Sequence, residues 1–198
     1  TYFTGGDDSV AGRQLTLSSE ANSGQNNATH RLTVPSGYGS FNISVGGSER
    51  FKINNDGSLS TPTLGTSNVR FGVNAGNSIA SGGVQNTVVG DEAGTALTTG
   101  NSNVAVGYAA LTADTLGDRN VAVGVGALIA QNFTSTTDVY NTAVGYRAGA
   151  AVTTGVQNTF VGGLAGDGTD DGIENTAVGY SALSANCGNG NVAVGHAA

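Results

Sequence analysis

Apolar and polar positions alternate over very short stretches from residue 65 onward, and the alternation returns at a nearly fixed interval. Its unit is a phrase that starts with Asn, continues with β-branched or small apolar residues and ends with Gly, as in Asn141-Thr142-Ala143-Val144-Gly145. Short β-branched segments bounded by Gly favour strands over helices. The eight phrases begin at Asn68, Asn86, Asn103, Asn120, Asn141, Asn158, Asn175 and Asn191.

The spacing of the phrases predicts a stacked repeat protein. Successive Asn residues lie 18, 17, 17, 21, 17, 17 and 16 residues apart. A period this short, kept over most of the chain, is typical of a solenoid and not of a globular enzyme core. A Gly also stands three residues before each Asn, with Asp138 as the exception, and an Ala stands three residues after each phrase Gly. We therefore predict a β-roll or β-solenoid of about 17 residues per repeat over residues 65–198.

Alternation within one strand places Thr142 and Val144 on one face and Ala143 on the other. We expect the Val face to form a dry stripe inside the stack and the small Ala and Gly residues to pack between chains. We also expect the Asn side chains to form a structural ladder, with each amide bonding the copies above and below. The predicted ladder consists of Asn86, Asn103, Asn120, Asn141, Asn158, Asn175 and Asn191.

Residues 1–64 do not follow the repeat and predict a small antiparallel β unit. Short alternating runs occur at 13–17, 30–34, 41–45 and 50–53, separated by polar clusters. Asn55-Asp56-Gly57 is a strong hairpin-turn signal between two of the predicted strands. Pro62 marks the end of this unit, because proline cannot donate to a sheet ladder. The predicted fold is therefore all-β, with domains at 1–64 and 65–198.

Composition argues against two classes of partner. The net charge is −7, Lys52 is the only lysine and the six arginines are scattered, so a nucleic-acid surface is not expected. No apolar run approaches the length of a membrane span, so membrane insertion is not expected. Charged residues make up 11% of the chain, well below the roughly 25% usual for soluble domains, so the surface is polar without being ionic. The chain starts without Met and stops within a repeat, and we expect it to be part of a longer protein.

The repeat resembles the Asn-Thr-Ala-Val-Gly-Tyr-x-Ala-Leu repeats of bacteriophage tail fibres, above all those of marine and cyanobacterial phages. The copies at 175–183 and 103–111 are the most similar, and residues 48–59 resemble the phrase that precedes such repeats. The resemblance implies a homotrimer on the virion that contacts other tail or fibre proteins, and it implies a self-cleaving chaperone domain further along. The repeat is also similar to the heads of trimeric autotransporter adhesins, whose unit is shorter, about 14 residues by that resemblance.

Candidate contact residues come from the aromatic positions. Tyr108, Tyr146 and Tyr180 follow the phrase Gly, and His196 takes that place in the last copy. Such a row can hold sugar rings, or it can pack between subunits. The longest connection, at 130–140, adds Phe133 and Tyr140, because solenoid insertions often line a binding face.

We predict no catalytic residue, no cofactor and no metal site. The two histidines and Cys187 lie apart in sequence without a metal-ligand spacing. Asp167, Asp170 and Asp171 could offer oxygens to Ca²⁺, but their spacing is not that of an EF-hand, and a solvated acidic turn is the commoner explanation.

The predicted function is that of a structural and adhesive segment of a phage tail fibre, located on the virion, that helps attach it to a glycan or protein on the host surface. One alternative is a tailspike depolymerase, which needs paired carboxylates in a groove and would degrade polysaccharide. Another is a bacterial surface adhesin of the autotransporter type, which would carry a membrane anchor.

Overall fold

The structure is a computed structural model, and it describes residues 16–20, 29–33, 41–45, 48–53, 59–60 and 65–198. The chain divides into two compact units, Thr1–Ser60 and Thr61–Ala198. Every regular element in the described residues is a β-strand, and none is a helix. The predicted all-β class is therefore confirmed.

Five strands lie in the first unit, and each pairs with its neighbour in antiparallel fashion. The first two form a two-stranded sheet, and the next three form a separate sheet with a register shift between Ile43 and Ser44. That these strands form a single unit stays a prediction, and the predicted turn at 55–57 and boundary at Pro62 lie outside the described residues. The strands are β1 (Thr16–Glu20), β2 (Thr29–Thr33), β3 (Phe41–Val45), β4 (Ser48–Ile53) and β5 (Leu59–Ser60).

The second unit is a parallel β-solenoid, as the repeat predicts. Each phrase supplies one three-residue strand, and the strands pair in parallel with phrase positions aligned, so that Ala122 lies beside Ala105 and Ala143. One repeat therefore makes one turn of the solenoid, called a coil below. The eight strands are β6 (Val69–Phe71), β7 (Thr87–Val89), β8 (Val104–Val106), β10 (Val121–Val123), β12 (Thr142–Val144), β13 (Thr159–Val161), β14 (Thr176–Val178) and β15 (Val192–Val194).

A second, short parallel pair lies at the coil with the longest connection. It joins β9 (Gly117–Asp118) to β11 (Thr137–Asp138), in register. The extra residues of the 21-residue repeat precede β11, so the chain returns to the stack before the next phrase begins at Asn141.

The last residue of each phrase is Gly for two reasons, its backbone conformation and the close approach of the next coil. Gly145 has a φ of 139°, which side-chain-bearing residues seldom adopt. A Cβ at Gly145 would also overlap the carbonyl oxygen of Gly162 in the next coil. The same geometry recurs at the other phrase glycines, so each strand ends at its third residue and the coils approach closely.

The predicted orientation of the strands is wrong. The middle residue is buried in every phrase strand from β7 onward, while its two neighbours are partly or largely exposed. Ala143 therefore points into the coil and Val144, which is 36% exposed, points outward. Alternation alone defines two faces without saying which is inside, and the narrow interior takes the smaller residue.

The interior of the solenoid is filled by complementary sizes. Where the middle strand residue is Ala105, Ala122 or Ala177, a leucine six residues later enters the same coil, at Leu111, Leu128 and Leu183. Where the middle residue is larger, that later position is glycine, as with Phe160 and Gly166. A Cβ on Gly166 would lie 2.5 Å from the Phe160 ring. The coil of Ala143 and Gly149 carries neither large residue, and the space beside Gly149 is taken by Leu128 and Phe160 of the adjacent coils. Large and small side chains thus alternate to fill the interior, as in a close-packed core.

Candidate functional site

The Asn side chains bond mostly to backbone groups of the adjacent coil. They also bond each other directly at two places, where Asn120 Nδ2 and Asn191 Nδ2 donate to Oδ1 of Asn103 and Asn175. Asn158 Oδ1 accepts from the backbone N–H of Asn175 at 2.9 Å, and Asn158 Nδ2 donates to the carbonyl oxygen of Gly172 at 2.9 Å. Both partners belong to the next coil along the chain. The same two bonds link Asn86 to Asn103 and Gly100. The expectation that one amide bonds both neighbours is therefore corrected, because the donors and acceptors it meets belong to the backbone.

The ladder is incomplete at two places, and both have an irregular repeat length. Asn120 Oδ1 and Asn175 Nδ2 are buried without a hydrogen-bond partner. Asn120 precedes the 21-residue repeat and Asn175 precedes the 16-residue repeat. In the 17-residue repeats, the accepting glycine carbonyl lies 14 residues after the Asn. The 18-residue repeat after Asn68 keeps both bonds, to the N–H of Asn86 and to the carbonyl oxygen of Gly83, so the pattern tolerates one extra residue and is lost in part in the 16- and 21-residue repeats.

A buried chain of polar side chains lies inside the coils on either side of the long connection. Asn141 Nδ2 donates to Gln131 Oε1 at 2.8 Å, and Gln131 Nε2 donates to Asp114 Oδ2 at 2.7 Å. Asp114 Oδ1 accepts from the N–H groups of Gly117 and Phe133, both at 3.1 Å. We call Asp114, Gln131 and Asn141 the polar relay, and all three side chains are fully buried.

Sequence reasoning did not find the polar relay, although a signal was present. Asp114 and Gln131 stand 11 residues after their phrase Asn, a position that Ile79, Leu97 and Val152 fill in other coils. A carboxylate at an apolar core position is costly unless it is hydrogen-bonded. Burial raises the pKa of the Asp114 carboxyl, while the hydrogen bonds from Gln131, Phe133 and Gly117 act in the opposite direction.

The long connection does not present both of its predicted contact residues. The Phe133 side chain is buried, with 8% of its surface exposed, and its backbone completes the polar relay. This burial does not favour Phe133 as a receptor contact, and that role stays a prediction. Tyr140 is exposed, and the Arg119 guanidinium lies 5.5 Å from its ring centroid while also pairing with Asp138. A receptor-contact role for Tyr140 stays a prediction.

The three tyrosines of the predicted row are exposed on the coil surface. Tyr108 and Tyr180 are equally exposed, at 54%, and Tyr146 is similar. Tyr180 stacks on His196 of the last coil, with ring centroids 5.4 Å apart and planes 20° apart. The row therefore presents aromatic surface, and its role as a receptor contact stays a prediction.

The acidic turn at 167–171 forms internal bonds. Asp170 Oδ1 accepts from the backbone N–H of Asp171 at 2.6 Å, and this bond lowers the pKa of the Asp170 carboxyl. Within the part of the chain that the structure describes, no group of three His, Cys, Asp or Glu side chains is placed to hold a metal ion. The same residues include no helix long and apolar enough to cross a membrane.

Outward positions of the phrase strands form a uniform surface along the solenoid. Two side chains per strand point outward, and every one is Val, Thr or Phe. Because the strands are parallel and in register, like residues line up across the coils, for example Val144, Val161 and Val178. We call this surface the Val/Thr face. Comparison of the chain with known protein families, curated proteins and solved structures finds no match.

Proposed function

We propose that the chain is a structural and adhesive segment of a bacteriophage tail fibre, that it works as a homotrimer, and that it takes part in attachment to the host cell. The motif resemblance suggests the class of protein. A solenoid, whose coils repeat along one direction, is also an architecture that suits an extended fibre segment.

The observation that carries the proposal is the Val/Thr face. It has no charged residue at any outward strand position, and Val144, Val161 and Val178 are each more than a third exposed. A contiguous apolar surface on a soluble protein marks an interaction site once it exceeds a few hundred Å². We infer that the three chains of the trimer pack through this face. The strand Ala residues, to which the sequence assigned that role, are buried inside the coil.

A structural role also agrees with the placement of the described polar groups. The carboxylate of Asp114 is closed off from solvent and meets three donors inside the coils, so it has no access to a polysaccharide. The buried Asn side chains are bonded to backbone groups of adjacent coils. These groups stabilise the stack, which supports a fibre segment over a depolymerase.

The trimer is tested by light scattering on the purified chain in native buffer. We expect a mass of three chains for the wild type and of one chain for the double variant Val144→Lys/Val161→Lys, because six buried ammonium groups would meet at the interface. Thr154→Lys places the same charge on an exposed position outside the strands and should leave the trimer intact. A folded wild-type monomer would contradict the proposal.

The attachment role is tested separately, by binding of the labelled trimer to intact cyanobacterial cells. Saturable binding that unlabelled protein displaces is expected. Release of sugar from purified capsule by the same protein would instead favour the depolymerase.

A further inference from the structure

One place in the aromatic row lacks a side chain although the backbone does not demand glycine. The row runs through the residue after each phrase Gly, and it includes Tyr146, Gly163 and Tyr180 in successive coils. The phrase glycines have positive φ, but Gly163 does not. A Cβ on Gly163 would make an ordinary contact, 3.5 Å from Cδ2 of Tyr180. The missing side chain leaves a space between Tyr146 and Tyr180 that other residues could have filled.

The two tyrosines border this space at a fixed distance. Stacked coils lie about 4.8 Å apart, so residues two coils apart are about 9.6 Å from each other along the stack. The edge of the Tyr180 ring lies next to Gly163, and the ring stacks on His196 on its other side. This stacking holds the Tyr180 ring in place before any ligand arrives, which reduces the entropy lost on binding.

The dimensions and polarity of the space suit a sugar ring. Rings that stack in proteins have centroids about 4.5–7 Å apart, so a ring midway between Tyr146 and Tyr180 would lie about 4.8 Å from each. Pyranose rings present C–H groups on their faces and hydroxyls at their rim, which matches aromatic walls open to water. The residues beside Gly163 on its own coil are uncharged, at Gly162 and Leu164.

The stem of the neighbouring arginine packs on another coil. Arg147 follows Tyr146, and its Cγ lies 3.5 Å from the position of a Cβ on Gly126, in the coil on the far side from Gly163. The residues next to Gly163 in the chain therefore supply no charge that would select an acidic sugar.

We propose that the space between Tyr146 and Tyr180 holds one pyranose ring of a neutral polysaccharide. This inference deepens the proposed attachment function and rests on it, since it names the class of ligand for a surface already assigned to host contact. The row contains its own comparison, because Tyr108 and Tyr146 are also two coils apart but Val125 stands between them. That second gap is filled by a side chain and should not hold a sugar.

The experiment is calorimetric titration of the full chain with two neutral hexopyranose oligosaccharides, cellohexaose and maltohexaose. We expect saturable binding of at least one of them, and an increase in Kd of tenfold or more for both Gly163→Val and Tyr180→Ala. Tyr108→Ala removes an equally exposed ring from the same row and should leave the Kd within twofold.

Three results would overturn the proposal. They are no saturable binding of either oligosaccharide, wild-type affinity in Gly163→Val, or equal losses in Tyr108→Ala and Tyr180→Ala. Thermal melts of each variant establish that it is folded, and Gly163→Val is expected to melt near the wild type because it needs no strained backbone. If the chain binds intact cells but neither sugar, only this inference fails, and the proposed attachment function stands.

Discussion

At the scale of single residues, Asn is specified at the head of each phrase because the backbone of the next coil offers one donor and one acceptor. Asn158 accepts from that donor through Oδ1 and donates to that acceptor through Nδ2. An amide is the smallest side chain that can accept with one atom and donate with another. A turn-forming role alone would not require this combination.

The first prediction follows from that geometry. In Asn158→Asp, one carboxylate oxygen keeps the N–H of Asn175, but the other faces the carbonyl oxygen of Gly172 in a fully buried site. We expect a loss of about 3–5 kcal/mol in the free energy of unfolding at pH 7, because an acceptor meets an acceptor and a charge is buried. Urea unfolding curves measure it.

Two comparison variants show whether the ladder is the cause. Asn158→Ser keeps turn propensity without the charge and should lose less than Asn158→Asp. Asn191→Asp makes the same change where the side chain is only partly buried, and should lose about 1 kcal/mol or less. Equal stability of Asn158→Asp and Asn158→Ser would contradict the ladder as the reason for Asn.

The second prediction concerns pH and Asp114. Burial raises the pKa of this carboxyl above that of the unfolded chain, so the folded state holds a proton where the unfolded state has lost it. The resulting stability is fully present below the unfolded pKa and is lost as pH rises through the folded pKa. Asp114→Asn removes this titrating carboxyl. Its new Nδ2 group would face Nε2 of Gln131, so two hydrogen-bond donors would oppose each other.

We therefore expect Asp114→Asn to be less stable than the wild type, with the deficit greatest at acidic pH and smaller as pH rises towards neutral. Unfolding by urea at a series of pH values from 3.5 to about 7 measures the difference. The exposed Asp91→Asn serves as the control variant. A deficit that grew with pH would show that hydrogen bonding to the carboxylate outweighs its burial.

At the scale of the elements, strand positions and the repeat could be predicted because Asn and Gly mark the ends of every strand. The side that faces inward could not, since Ala143 and Val144 are both compatible with a core. The width of the coil decides which of the two residues is buried, and that width cannot be deduced from the alternation of residues. Phe160 was the informative position, because it pairs with glycine at 166 where the Ala-centred coils at 105, 122 and 177 carry leucine.

The third prediction tests that size complementarity. Gly166→Leu should destabilise by several kcal/mol, because its side chain overlaps the Phe160 ring. Backbone strain is not the cause, since Leu128 and Leu183 occupy the equivalent place with φ of 50° and 54°. Phe160→Ala alone should lose about 3–5 kcal/mol through the cavity it leaves.

The double variant Phe160→Ala/Gly166→Leu should recover much of both losses, because it recreates the arrangement of Ala122 with Leu128. A coupling of about 2 kcal/mol or more in the double-mutant cycle is expected from thermal or urea unfolding. Additive losses would show that the two positions are independent.

At the scale of the whole solenoid, neighbouring coils are fully bonded through Asn where the repeat has 17 or 18 residues, and part of that bonding is lost where it has 16 or 21. The 17-residue repeats between Asn86 and Asn120, and between Asn141 and Asn175, bring the glycine carbonyl to the preceding Asn. The 16-residue repeat after Asn175 leaves its Nδ2 buried and unpaired. The polar relay could not be foreseen from repeat length, because its three side chains come from three successive coils.

The fourth prediction corrects that irregular repeat. Inserting one Ser between Cys187 and Gly188 restores 17 residues and should raise the free energy of unfolding by about 1 kcal/mol, the net value of a hydrogen bond to a buried donor. The same insertion between Asp171 and Gly172 lengthens a regular repeat to 18 residues. Because the native 18-residue repeat after Asn68 keeps both Asn bonds, this insertion adds no bond and should not raise the free energy of unfolding. A gain there as large as at 187 would contradict the role of repeat length.

The side chain of Asn158 bonds only towards the next coil, as that of Asn86 does, and this direction has a consequence for how the chain is made. The Asn158 side chain bonds only to residues that follow it, while its own backbone N–H donates to Oδ1 of Asn141. During synthesis, the most recently folded coil therefore presents an open acceptor and an open donor to the segment emerging next. Each finished coil acts as a template for its successor, and the solenoid can extend in the order in which the ribosome delivers it.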